Sequence, residues 1–173
     1  MDTWILQSGF PQVEVSLTDS GIKLEQRRYL TIPDESDTTL WKIPIVLRGS
    51  ASGIPFERKL VLDSFSTELP IDGQIDWVVA NAGGHGFYRV DYTGELFAAC
   101  VENLVELAAL ERFCLIDDAW AFVESGQRSA SDWLELASSF RGEEEQAIWN
   151  AILTGLAGIR HHIVTDEDLP AFR

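Results

Sequence analysis

The chain has 173 residues, 46% of them apolar, and its 13 basic against 28 acidic residues give a formal charge of -15. That apolar content suffices for one good core or two small ones and excludes a disordered chain, while the acidity repels phosphate backbones and anionic membrane surfaces, so no nucleic acid partner is expected. No apolar run reaches the roughly 20 residues of a membrane span, and Met1-Asp2-Thr3-Trp4 lacks the basic-then-apolar profile of a signal peptide. A soluble protein without a membrane span is expected, and two unpaired thiols, Cys100 and Cys114, fit a cytoplasmic, reducing compartment.

Between Val13 and Tyr92 the apolar period is close to two. Val13, Val15 and Leu17 alternate with polar neighbours, as do Ile22, Leu24, Gln26, Arg28 and Leu30. Further strands are predicted over residues 40–47, 56–62, 67–71, 75–79 and 86–92, with turns at Asp19-Ser20-Gly21, residues 49–53 and Asp72-Gly73. About seven short strands at such spacing predict a β-sandwich.

After Tyr92 the period becomes helical, with Leu96, Phe97, Cys100, Val101, Leu104, Val105 and Ala108 on one stripe. A domain boundary is therefore expected near residue 93, with residues 1–92 forming the sandwich and residues 93–173 the first helices of a second domain. A second helix carries Phe113, Ile116, Ala119, Trp120 and Val123, and Gly126 is placed to end it in the left-handed conformation. A third starts near Ser129, where Ser129 and Asp132 have capping-box spacing, and carries Trp133, Leu134, Ala137 and Phe140. A fourth runs from about Glu143 with acidic residues in its first turn and Ile148, Trp149, Ile152, Leu153 and Leu156 along its face. Asp166 to Arg173 has the acidic start and early proline of yet another helix. An antiparallel, repeat-like all-α array, truncated after its first helices, is the expected second half. Such a truncation leaves an apolar face through which the chain could self-associate.

Chemistry-bearing patterns fail one by one. A zinc peptidase helix needs two histidines four apart, yet the only histidines are His85, in a glycine-rich loop, and the adjacent His161 and His162. Gly49-Ser50-Ala51-Ser52-Gly53 approaches the G-x-S-x-G elbow but has alanine where the nucleophile must stand. Gly83-Gly84-His85-Gly86 has neither the lysine of a P-loop nor the spacing of a dinucleotide loop, and a strand follows it. The cysteines lie in helical apolar stretches and read as buried thiols. Asp117-Asp118 and Glu143-Glu144-Glu145 read as structural acids, the former accepting from Arg89 or Arg112 and the latter opening a helix. Arg89, on a strand face shared with Phe87 and Asp91, is expected to tie the sheet to the helices through Asp117 or Asp118. No catalytic, cofactor-binding or metal-binding residue is assigned.

Five stretches in order resemble the aminopeptidase N family of zinc metallopeptidases. Met1 to Pro11 looks like its M-x-x-W-x-x-Q-x-G-[FY]-P segment, Leu24 to Leu30 its L-x-Q-x-R-[FY]-L strand, and Trp41 to Ile45 its W-x-I-P-[LI] strand. Asn81 to Tyr92 is similar to N-x-x-x-x-G-[FY]-Y-R-V-x-Y, and Glu111 to Ala121 to the [DE]-R-x-x-L-[LI]-D-D-A-[WF]-A helix. The resemblance implies a non-catalytic C-terminal fragment whose Met1 matches an internal methionine. Its sandwich and helical array would scaffold a catalytic domain carried on the same polypeptide and would help enclose the active-site cleft. The family's zinc site and its G-x-M-E-N loop would lie in that preceding domain, which acts on peptide substrates. The rival expectation is a free-standing module that binds a peptide or protein at a sheet edge, and a cryptic hydrolase built on His85 with a nearby serine or acid ranks below both.

Overall fold

The computed structural model describes residues 2–32, 34, 36–165 and 167–168. A short helix α1 (Asp2–Ile5) precedes seven strands: β1 (Pro11–Thr18), β2 (Gly21–Arg28), β3 (Ile43–Ala51), β4 (Ile54–Leu62), β5 (Ser66–Pro70), β6 (Ile75–Val79) and β7 (Arg89–Tyr92). Helices α2 (Glu95–Glu102), α3 (Ala109–Glu124), α4 (Ala130–Ser138) and α5 (Gln146–His162) follow. The expected order, a sandwich of seven strands and then helices, is the one that forms. One sheet runs β5-β2-β1-β7 and the other β4-β3-β6. β7 lies parallel to β1, with Val90 opposite Val13, while the remaining pairs are antiparallel.

Alternation explains the layers. Val13, Val15, Ile22 and Leu24 from the first sheet and Ile43, Ile45 and Leu47 from the second are all buried, each contributing roughly 1.5–3 kcal/mol of transfer free energy. The same core continues without a break through Leu96 and Cys100 of α2 to Leu115 and Ile116 of α3, Trp133 of α4 and Ile148 and Ile152 of α5. At one end of the sandwich a buried amide bridges the sheets. Gln26 of β2 donates to the carbonyls of Trp41 and Ser64, both at 2.9 Å, and accepts the Trp41 N–H at 2.8 Å.

Several boundaries differ from the sequence reading. Residues 49–53 are not a turn, because β3 continues to Ala51 and only Ser52 and Gly53, with φ of 49° and 76°, form the two-residue hairpin. Gly49 belongs to the strand, where a side chain would run into the Phe56 ring and the Trp77 carbonyl. The predicted strand at 40–47 accordingly starts later, at Ile43, and the one at 86–92 starts at Arg89, leaving Phe87 exposed in the loop before it.

The stripe from Leu96 to Ala108 is also broken. Asn103 donates its side-chain N–H to the Ala99 carbonyl at 2.8 Å, competing with the backbone and ending α2, and a 3-10 turn over Leu104–Glu106 leaves Val105 exposed. Gly126 adopts φ of 70° after α3, and Ser129 caps α4 by accepting the Asp132 N–H, both as expected. The helix predicted from about Glu143 begins instead at Gln146, so the glutamates precede it. The further helix expected from Asp166 falls mostly outside the described residues.

Replacing Gln26 by leucine strands three backbone groups in the interior. A loss of about 2–3 kcal/mol is expected, read as a lowered urea midpoint with an unchanged slope.

Candidate functional site

Helix α3 packs against β7 and meets each sheet with a buried carboxylate. Its N-terminal residue of this kind is Glu111, 3% exposed. Arg48 of β3 donates Nε to Glu111 Oε1 at 2.8 Å and Nη2 to Oε2, and its guanidinium stands 5.1 Å over the Trp77 ring. The same carboxylate accepts the Gly83 N–H and, as a helix cap, the Ala108 N–H, each at 2.8 Å. Burial alone would push the Glu111 carboxyl up, but Arg48 and the two amides hold it below its usual value.

Seven residues on, Asp118 serves the other sheet. Its Oδ2 accepts the Val90 N–H at 2.9 Å, satisfying the outer edge of β7, and its Oδ1 accepts from Arg89 Nη1 at 2.9 Å. The same Nη1 reaches Asp117 Oδ2 at 2.8 Å, and the Arg89 guanidinium stacks 5.3 Å over Tyr29, whose hydroxyl donates to the Ala121 carbonyl. The expected tie between Arg89 and the acid pair is therefore present, and it engages both acids. Arg112 is not part of it. That side chain grips Glu143 through Nε at 2.7 Å and Nη2 at 3.0 Å, and Glu143 also accepts the N–H of Glu144 and Glu145, which fixes the turn before α5.

The tyrosines flanking Arg89 have complementary tasks. Tyr88 donates to the Ala80 carbonyl at 2.8 Å and Tyr92 accepts the Ala80 N–H at 2.9 Å, so two hydroxyls satisfy both backbone groups of one buried residue beyond β6. Burial pushes both phenols up. Neither these roles nor the Arg48–Glu111 pair was read from the sequence. The available signals were a lone arginine after the apolar alternation of β3 and a glutamate three residues after a helix cap.

The remaining patterns resolve into structure. Ser50 donates to Asp76 at 2.6 Å and Ser52 accepts the Gln74 N–H at 3.1 Å, holding the hairpin to β6. In the glycine loop the Gly83 and Gly86 amides are consumed by Glu111 and by the Asn81 side chain. Cys100 is buried and donates to the Val78 carbonyl, whereas Cys114 is only half-buried; burial pushes each thiol up to about 12, so both stay protonated at neutral pH. His85 is exposed in its loop and His161 and His162 close α5, with rings 4.8 Å apart. Among the described residues no group of three or more His, Cys, Asp or Glu could hold a metal, and no helix is long and apolar enough to cross a membrane. A zinc ion does not fit the described residues. A groove of about 750 Å³ between the β7–α2 corner and α4 is lined by Arg128, which pairs with Asp91 at 2.9 Å and lies 3.9 Å over Phe97.

A sandwich followed by helices is the arrangement the resemblance implied. A family model described as "ERAP1-like C-terminal domain" matches residues 77–173, from β6 onward. The chain belongs to the ERAP1-like C-terminal domain family. About nine-tenths of its length is also similar to larger proteins. A puromycin-sensitive aminopeptidase of Caenorhabditis elegans is 31% identical over 166 residues, covering 91% of this chain and 18% of that protein. A tricorn protease-interacting factor F2 of Thermoplasma acidophilum is 31% identical over 159 residues, 92% of this chain and 19% of that protein. An alanine/arginine aminopeptidase of Saccharomyces cerevisiae is 28% identical, over 92% of this chain and 19% of its own length. The chain thus spans about a fifth of the length of the curated relatives it matches. The resemblance to the C-terminal region of the aminopeptidase N family is borne out.

Two substitutions probe these joints. Arg89→Ala removes the cation that Asp117 and Asp118 share across the β7–α3 joint and is expected to cost about 2–4 kcal/mol in urea unfolding. Glu143, whose carboxyl Arg112 holds down at about 2 against an ordinary 4.5, contributes stability that is present above pH 4.5 and lost as pH falls through 2. Glu143→Gln should therefore be less stable than the wild type by about 1–2 kcal/mol at neutral pH, with the gap closing in thermal melts as the pH is lowered across that window.

Proposed function

We propose that this chain is a non-catalytic part of the C-terminal region of a zinc-dependent aminopeptidase, scaffolding the catalytic domain and helping to enclose the active-site cleft. The observation that carries the reading is the match of about nine-tenths of the chain to about a fifth of proteins named as aminopeptidases. In this reading the whole protein releases N-terminal amino acids from peptides in the cytoplasm, and its zinc is held by a domain outside this chain. Residues 1–92 form the sandwich domain, residues 93–173 open the helical domain, and no residue here contacts the reacting atoms.

Two of the four sheet edges, β7 and β4, count against the free-standing edge-binding module. The outer edge of β7 is occupied by Asp118. β4, one of the two edge strands of the second sheet, carries Pro55 and the charged run Glu57, Arg58 and Lys59, devices that resist addition of a further strand.

The pure chain mixed with zinc should retain no stoichiometric metal and should not cleave an aminoacyl anilide; metal-dependent turnover would overturn the proposal. Sequencing the gene on either side separates the alternatives, since an upstream H-E-x-x-H is expected and a stop codon directly before Met1 would sink it.

A further inference from the structure

Helix α5 departs from the charge pattern of the rest of the chain. Charged residues make up 24% of the sequence, yet Gln146 to Ile159 holds none. One face of α5 buries Ile148, Ile152, Gly155 and Ile159, with Gly155 and Gly158 making room for the Trp133 and Trp120 rings. A helix with one buried face ordinarily turns charged side chains to water on the other. Here the outward stripe, at intervals of three and four residues, reads Glu145, Trp149, Leu153, Leu156 and Arg160. Trp149 is 39% and Leu153 58% exposed, Leu156 is half-buried, and the uncharged Gln146, Asn150 and Ala157 flank the stripe.

The charges of this stripe stand only at its ends. Glu145 precedes α5 and serves its first turn through the carbonyl, which accepts the Ile148 and Trp149 N–H groups, so its carboxylate is not spent as a cap. Arg160 lies in the last turn, followed by His161 and His162. Among the described residues neither the Glu145 nor the Arg160 side chain forms an ion pair.

We propose that this face pairs with the same face of a second copy of the chain, the two α5 helices lying antiparallel about a two-fold axis. With Glu145 set against Arg160 of the second copy, Trp149 falls against Leu156 and the axis passes beside Leu153, so every contact is made twice. The stripe is complementary to itself only in this sense, because a parallel pair would oppose Glu145 to Glu145 and Arg160 to Arg160. A charge of -15 on each copy resists association through acidic surfaces, whereas this contact is uncharged at its centre and oppositely charged at its ends. The self-association expected from the sequence thereby acquires a surface and a symmetry, and it does not depend on the aminopeptidase reading. The 17 residues of α5 span about 25 Å. One helix pair of that length stays below the roughly 1,200 Å² of a standard interface, so the dimer is weak and reversible, with a Kd on the order of 100 µM.

Sedimentation equilibrium of the 173-residue chain from about 10 µM to about 1 mM tests the pairing. The weight-average mass should climb from 19.3 kDa towards twice that value and stop there. Leu153→Glu and Leu6→Glu each add one negative charge at an exposed leucine, Leu6 lying at the start of the chain, away from α5 in sequence and 80% exposed. The first should weaken association by about tenfold or more and the second by no more than about twofold. Glu145→Lys and Arg160→Glu should each weaken it by roughly threefold to tenfold, since each counts twice in a symmetric pair, and the double reversal should restore it. A mass that stays at the monomer value through about 1 mM, growth beyond the dimer, equal weakening by Leu6→Glu and Leu153→Glu, or no rescue by the double reversal overturns the proposal. Should Leu153→Glu fail to fold, as read by circular dichroism, the concentration series and the charge reversals decide it alone.

Discussion

The structure depends on one dimensional match. Two packed sheets stand about 10 Å apart, and an α-helix rises about 1.5 Å per residue, so two carboxylates seven residues apart on one helix face are separated by about the thickness of a sandwich. Glu111 and Asp118 have that spacing on α3 and both line one internal cavity. One reaches Arg48 of the second sheet and the other Val90 and Arg89 of the first. A single rigid rod thereby fixes the separation of the layers, and it satisfies the backbone of an edge strand that would otherwise stand open.

The scarcity of cations sharpens this economy. In a chain carrying a net charge of -15, five arginines are largely withdrawn from solvent, and each meets an acid from a neighbouring element. Arg28 pairs with Asp37, Arg48 with Glu111, Arg89 with Asp117 and Asp118, Arg112 with Glu143, and Arg128 with Asp91. Planar guanidinium groups suit this task because they can fork onto a carboxylate while stacking on an aromatic face, as Arg28 does on Trp41, Arg48 on Trp77, Arg89 on Tyr29 and Arg128 on Phe97. The excess acidity faces outward, where water solvates it.

Period two and period 3.6 were legible because burial imposes them residue by residue, and so the sandwich, the switch after Tyr92 and the bodies of α3 to α5 could be read from sequence. The boundaries were less so. Gly49 looked like a turn because glycine permits one, whereas the close approach of Phe56 and Trp77 is what excludes a side chain there. The stripe through Asn103 looked continuous because apolar spacing ignores the competition of a side-chain amide for a helix carbonyl. Arg89 with its acids was accessible, since a strand arginine near the core demands a carboxylate. Glu111 with Arg48 was not, because the local signals at each residue do not name a partner 63 residues away.

The weld made by α3 also bears on motion. A strand-to-helix switch at Tyr92 would ordinarily invite a hinge, since few residues join β7 to α2. Here α3 returns to grip both sheets, and Arg128 ties the start of α4 back to Asp91. Any rotation of these helices must carry the sandwich with it as one lever, so flexing would have to be absorbed outside residues 89–128.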